Sequence, residues 1–184
     1  MPRGISSLEK RLSVDEAKNL KIEAPIKMIK EGLTHTQKVY KSVYEFTNLV
    51  KQNVVLEKTK IDLKELLTTY LLTTSFGNQV VIEDLVIEEV NGTLFCNAID
   101  NLIRNGLKYN NSENKIVKIY MEKGHMIVQD NGVGMSLKEF ENNINKTNTE
   151  FGIGLSISVS ILNEHGFKVT CEKIDSGTKI KIKI

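Results

Sequence analysis

The segment Asn101-Leu102-Ile103-Arg104-Asn105-Gly106-Leu107-Lys108-Tyr109 sets Asn101, Asn105 and Lys108 at spacings of four and three. On a helix those spacings give one face. Two amides and an ammonium side by side suit a hydrated divalent cation and phosphates. Mg²⁺ takes oxygen ligands and keeps several waters, so one amide oxygen is a sufficient protein ligand. The same stripe also fits the polar face of an ordinary amphipathic helix. A second segment, Asp130-Asn131-Gly132-Val133-Gly134, directly follows the apolar run Met126-Ile127-Val128 and Gln129. A carboxylate at a strand end can accept a hydrogen bond from the exocyclic amine of a base such as adenine. Glycines beside it let backbone approach a flat ring. In isolation such a segment reads more readily as a turn after a strand. The third segment, Gly152-Ile153-Gly154-Leu155-Ser156-Ile157, opens a helix. Free N–H groups and the helix dipole there favour phosphate, although glycine before a helix is common.

The elements that must carry these residues follow from apolar spacing. Residues 5–57 read as a short antiparallel helical hairpin. Ser13 and Glu16 have the form of a capping box, and Leu20, Ile22, Ile26, Ile29 and Leu33 supply an apolar face. Pro25 kinks the first helix, and Gly32 is expected where that helix stops. Val39, Val43, Phe46, Val50 and Val54 continue the spacing on the second. From Lys58 the pattern changes to mixed elements. A brief extended piece at Lys60-Ile61 leads to a helix from Asp62 to about Thr74. Strands are expected at Val80–Ile82 and Leu85–Ile87, with a turn at Asn91-Gly92. A helix from about Thr93 to Lys108 and a hairpin turning at Lys123-Gly124 come next. A glycine- and asparagine-rich stretch over 132–153 precedes a helix from Gly154 to Asn163, and two antiparallel strands close the chain. The fold class is therefore α+β, one sheet with helices on one side. The expected domains are 1–57 and 58–184.

Bulk properties narrow the function. With 40% hydrophobic residues the chain can bury a real core. A formal net charge of +2, with lysines scattered rather than blocked, argues against nucleic acid as the main partner. Cys96 and Cys171 fit no paired motif and read as buried thiols of a reducing compartment. No apolar run is long enough to span a membrane, and no signal peptide is read at the N-terminus. The expected location is the cytoplasm, with no membrane association.

Taken together, the three segments resemble the N box and the two glycine boxes of the GHKL (Bergerat-fold) superfamily, and its histidine-kinase branch most closely. Lys60-Ile61-Asp62-Leu63-Lys64-Glu65-Leu66-Leu67, Glu164-His165-Gly166 and Ser176-Gly177-Thr178 extend the resemblance, which covers about residues 58–184. The resemblance implies a Bergerat-type α/β sandwich that binds ATP with Mg²⁺. By position, Asn105 becomes the main Mg²⁺ ligand, helped by Asn101. Lys108 contacts phosphate and Tyr109 flanks the adenine. Asp130 reads the adenine amine, with Gly132 and Gly134 shaping the base pocket. Gly152 and Gly154 offer backbone to phosphate, and Thr178 holds a water near the base. Residues 135–151 become a short ATP lid with Phe140 as its phenylalanine. Glu150 stands where the second glycine box often has glycine. Asn101 stands where the ATPase branches place a water-activating Glu, and an amide is no general base, so efficient hydrolysis is not expected.

The hairpin resembles, more loosely, the dimerisation element of histidine kinases. The family's acceptor histidine lies five residues before the kinking proline; that position here is Leu20. Of the remaining histidines, His125 and His165 read as surface or packing residues, and His35 lacks the acidic neighbour that takes its proton. The expectation is a Mg-ATP-binding, histidine-kinase-like protein with weak or absent kinase and ATPase activity. It is dimeric through residues 5–57 and regulates a response regulator or another histidine kinase. The alternative is an active kinase, with His35 as acceptor or a substrate phosphorylated in trans.

Overall fold

A computed structural model describes residues 25–30, 32–34, 36, 37, 40, 56–145 and 154–184. The chain divides into two compact units, Met1–Tyr44 and Glu45–Ile184. In the first, every described residue is helical. Gly32, expected at a helix break, is itself helical, and the Thr36 hydroxyl donates to its carbonyl at 2.9 Å. A single glycine costs about 1 kcal/mol in a helix interior, too little to end a helix unaided. Leu20, His35 and the rest of the expected hairpin lie outside the described residues.

The second unit starts with β1 (Thr59–Asp62), which runs directly into α1 (Leu63–Leu71). The Asp62 carboxylate causes the switch: it accepts the Lys64 and Glu65 N–H groups at 2.8 and 3.0 Å, capping the helix. Leu63, Leu67 and Leu71, four apart, are buried. After a turn of 3₁₀ helix comes β2 (Val80–Ile82), then β3 (Ile87–Val90). The strand expected over Leu85–Ile87 thus begins only at its last residue. β3 pairs antiparallel with β1, and the Asp62–Ile87 pair ends that ladder. Beyond it the Val86 carbonyl accepts the first N–H of α1 at 3.2 Å, while Leu85 and Val86 pack on the core.

Helix α2 (Gly92–Lys108) follows at once. Asn91-Gly92 is therefore a cap rather than a β-turn. The Asn91 side-chain oxygen accepts Leu94 N–H at 3.1 Å, and its amide donates to the Glu57 carbonyl at 3.3 Å. Strands β4 (Val117–Glu122) and β5 (His125–Asp130) form the expected hairpin. Lys123 and Gly124 take φ of 50° and 75°, the two left-handed residues that suit the twist of a two-residue turn. Helices α3 (Leu137–Asn145) and α4 (Gly154–Glu164) precede β6 (Lys168–Lys173) and β7 (Thr178–Lys183). The main sheet has the order β2-β4-β5-β7-β6, parallel only between β2 and β4. Alternation sends Val117, Ile119, Met126, Val128, Ile180 and Ile182 into one core with the inner faces of α1, α2 and α4. The architecture is the expected α+β sandwich. Cys96 and Cys171 are buried free thiols, each pushed up to about 12 by burial. No helix among the described residues is long and apolar enough to cross a membrane.

One buried histidine ties the ends of this core. His165 Nδ1 lies 2.7 Å from the Ile161 carbonyl, and Nε2 accepts Asn91 N–H at 3.0 Å. The ring stacks on Phe167, and Lys58 donates to the His165 carbonyl at 2.8 Å. His165 is thus a packing residue in a fixed neutral tautomer, and burial pulls its pKa below the ordinary value.

Candidate functional site

The C-terminal end of α2, the loop after β5 and the start of β7 surround a cavity of about 350 Å³. Asn105, Lys108, Tyr109, Asp130, Gly134 and Thr178 all line it, which brings together six of the ten residues singled out from sequence. Leu102, Val133, Met135, Leu155 and Ile180 supply apolar walls. A mostly apolar cleft with a few convergent polar groups is the usual form of a small-molecule site.

Asp130 is the most heavily built of these groups. Gly132 N–H donates to its Oδ1 at 2.8 Å. Thr178 Oγ1 accepts Met135 N–H at 3.0 Å, which leaves its own proton for the Asp130 carboxylate. Burial raises the Asp130 pKa, and the bonds from Gly132 and Thr178 pull it partly back. Two glycines allow the close packing. A Cβ on Gly106 would sit 2.9 Å from the Asp130 Cβ, so an α2 side chain there would displace the carboxylate. Gly177 has φ +105°, and a Cβ on it would fall 1.9 Å from the Asp130 carbonyl oxygen.

At the far side of the cavity, Lys108 Nζ lies 4.8 Å from the centre of the Tyr109 ring. The Asn105 amide makes no hydrogen bond to any described residue. Asn101 does not line the cavity. Its Nδ2 donates to Ser158 on α4 at 2.8 Å. Gly154 is the first residue of α4 and lies against that amide: a Cβ there would be 2.7 Å from Asn101 Nδ2. Gly132 stands behind Asp130 rather than in the wall. Gly152 and Glu150 lie outside the described residues.

The stretch expected as a lid is partly a packed helix. Ser136 and Glu139 form a reciprocal capping box, with Ser136 N–H and O–H reaching Glu139 at 2.8 and 2.6 Å. That cap starts α3, and Phe140 is buried in the core at 1% exposure. Phe140 is therefore a core residue, and Glu139, not singled out from sequence, lines the cavity. Sequence reading also missed Asn110. Its Nδ2 donates to Asn131 Oδ1 at 2.6 Å, and that oxygen also accepts Ile116 N–H at 2.9 Å. The Asn131 amide donates to the Asn114 carbonyl at 2.8 Å, so the pair clamps the 110–116 loop onto the residues after Asp130. The only available signal was Asn131, read as a turn former.

The family model for histidine kinase-, DNA gyrase B- and HSP90-like ATPases matches residues 91–184, half of the chain. The chain belongs to this family. Its matched region begins at the cap of α2 and takes in every wall of the cavity. The solved structures it is similar to are of histidine kinases and share its fold. The catalytic domain of the histidine kinase ThkA is 22% identical, with a TM-score of 0.55 over 69% of this chain and 94% of that one. The Acinetobacter baumannii histidine kinase AdeS is 16% identical, with a TM-score of 0.61 over 88% of this chain and 84% of that one. ThkA in complex with the response regulator protein TrrA is 22% identical, with a TM-score of 0.63 over 97% of this chain and 54% of that one. Among curated proteins none matches the chain.

Proposed function

We propose that this chain binds Mg-ATP in the cavity between α2, β5 and β7 and acts as a nucleotide-dependent regulator of two-component signalling partners, without ordinary autophosphorylation. The observation that carries the reading is the carboxylate of Asp130. It is half-buried at the end of β5, held by Gly132 and Thr178, and lines a cavity of about 350 Å³ whose walls are mostly apolar. Asp130 accepts the adenine amine, Tyr109 flanks the ring, and Gly134 leaves room for it. Lys108 and the backbone at Gly152 and Gly154 take the phosphates, and Thr178 holds Asp130 and a water beside the base.

The donor set fits Mg²⁺. Among the described residues no three His, Cys, Asp or Glu side chains gather around a point. Besides the Asp130 and Glu139 carboxylates of the lining, the nearby side-chain oxygen donors on α2 are the neutral amides of Asn105 and, one turn earlier, Asn101. Such a pair suits a cation that arrives with the phosphates and keeps most of its waters, and does not suit Zn²⁺. When bound, the ion supplies charge neutralisation between the phosphates.

The regulatory part rests on two absences from the sequence. Leu20 holds the place of the acceptor histidine, and Asn101 holds the place of the hydrolytic Glu. A dimer through residues 5–57 would present helices to a response regulator or a histidine kinase. The exposed apolar side chains of Met28, Ile29 and Tyr40 support such an interface. Incubation with γ-labelled ATP and Mg²⁺, followed by acid and base treatment, tests the proposal. ATP binding without label is expected. Acid-labile, base-stable label lost on His35→Gln would instead establish the active kinase.

A further inference from the structure

Ser158 lies on the second turn of α4, 2% exposed, and faces α2. Its hydroxyl carries one proton. That proton goes to the Gly154 carbonyl at 3.0 Å, the i−4 bond open to a helical serine. The Ser158 oxygen can then only accept from Asn101, 2.8 Å away. In an asparagine amide only Nδ2 donates, so Nδ2 must face Ser158 and Oδ1 must take the other branch. Gly154 sits flat against this amide; a Cβ there would lie 2.8 Å from Oδ1 as well as 2.7 Å from Nδ2. The acceptor oxygen is therefore held beside the first turn of α4, one helical turn from Asn105.

We propose that Ser158 is a positioning residue for the metal-nucleotide site. It fixes the Asn101 amide so that Oδ1, and not the N–H₂ group, is presented where α2 meets the start of α4. Without it the amide is free to turn its positive end towards a cation. With it, Asn101 offers an acceptor to Mg²⁺ or to a water that Mg²⁺ holds. The inference rests on the reading of the cavity as a Mg-ATP site.

The test uses the full chain with Ser158→Ala, Ser158→Cys and Ser158→Thr. Cysteine keeps the volume but bonds weakly, and threonine keeps the hydroxyl. Without metal or nucleotide, the Asn101 side-chain amide protons, assigned through Asn101→Asp, should exchange slowly with solvent in the parent and in Ser158→Thr. They should exchange faster in Ser158→Cys and Ser158→Ala. In calorimetry, loss of one oriented hydrogen-bonding group should weaken Mg-ATP about fivefold in Ser158→Cys. Metal-free ATP should move less than about twofold, and Ser158→Thr should restore the parent value. Equal losses with and without Mg²⁺, or unchanged Mg-ATP affinity in a folded Ser158→Cys, overturn the inference. If Asn105→Ala and Asp130→Asn also leave ATP affinity unchanged, the cavity assignment itself has failed. If those two weaken binding and Ser158→Cys does not, only the role of Ser158 has failed.

Discussion

At the scale of single residues, Asp130 carries opposite demands from folding and from binding. Its pKa is raised, so the folded protein holds the proton more tightly than the unfolded chain. The stability that this proton contributes is present below the unfolded value and is lost as pH rises through the folded one. At neutral pH the ionised group is a net cost to the nucleotide-free fold. Asp130→Asn should therefore leave the nucleotide-free protein folded, with a melting temperature at pH 7 equal to or above the parent's. ATP affinity should fall by roughly ten- to a hundredfold, the value of a charge-assisted bond of about 1.5–3 kcal/mol. Calorimetry beside a thermal melt separates the two effects, and a folded mutant with unchanged affinity would remove Asp130 from the base pocket. Asn105 should behave differently, because its amide is proposed to touch the metal and not the base. Asn105→Ala should weaken Mg-ATP by about tenfold or more while metal-free ATP moves little. Equal losses in both titrations would contradict that role.

At the scale of elements, the sequence was legible where a local rule decides the structure. Helix α2 was readable from its apolar period, the β4–β5 hairpin from Lys123-Gly124, and Asp130 from its place at a strand end. Where tertiary pairing decides, the reading slipped. Leu85 and Val86 have strand composition, but β1 offers a partner only from Ile87 onward. Asn91-Gly92 has turn composition, yet the helix after it captures the Asn91 side chain as a cap. The resemblance implies a lid phenylalanine in the stretch that holds Phe140, whereas the Ser136–Glu139 box turns the segment into a helix with a buried face. Gly177 enters the sequence reading only as part of the Ser176-Gly177-Thr178 resemblance, because its role depends on the Asp130 backbone across the β5–β7 ladder. Its φ and the 1.9 Å approach make a strong prediction. Gly177→Ala should lower the unfolding free energy by about 2 kcal/mol or more in denaturant titration, and weaken ATP with it. His165 gives a pH signature of the opposite sign to Asp130. Its folded pKa is depressed, so its contribution is complete above the unfolded value near 6.5 and is lost as pH falls below it. Denaturation midpoints should drop as pH falls below about 6.5 in the parent. The slope should flatten in His165→Gln, which can keep one of the two bonds but cannot charge.

At the scale of the whole molecule, the claim to test is that residues 5–57 drive self-association while the rest folds alone. The C-terminal unit has its own sheet, its own helices and a contiguous core. Leu56 packs on that core, and the Glu57 carbonyl accepts the Asn91 amide. A truncation that begins at Leu56 therefore keeps these contacts, whereas one that begins at Lys58 sacrifices them. The N-terminal segment is expected to be a pair of helices. Two helices bury little apolar surface by themselves, and Met28 and Ile29 are 72% and 54% exposed. Pairing two hairpins into a four-helix bundle would remove that surface from water at roughly 25 cal/mol per Å². The full chain should run as a dimer in light scattering at tens of micromolar. The truncated protein should be a monomer that binds ATP with the parent affinity. Charge replacements at Val43 and Phe46, on the second expected helix, should dissociate the dimer without touching the nucleotide site. A monomeric full-length protein would refute the dimer. The proposal that this segment presents itself to a signalling partner would lose its basis with it, because an apolar stripe that is not shared between copies must be covered within the chain.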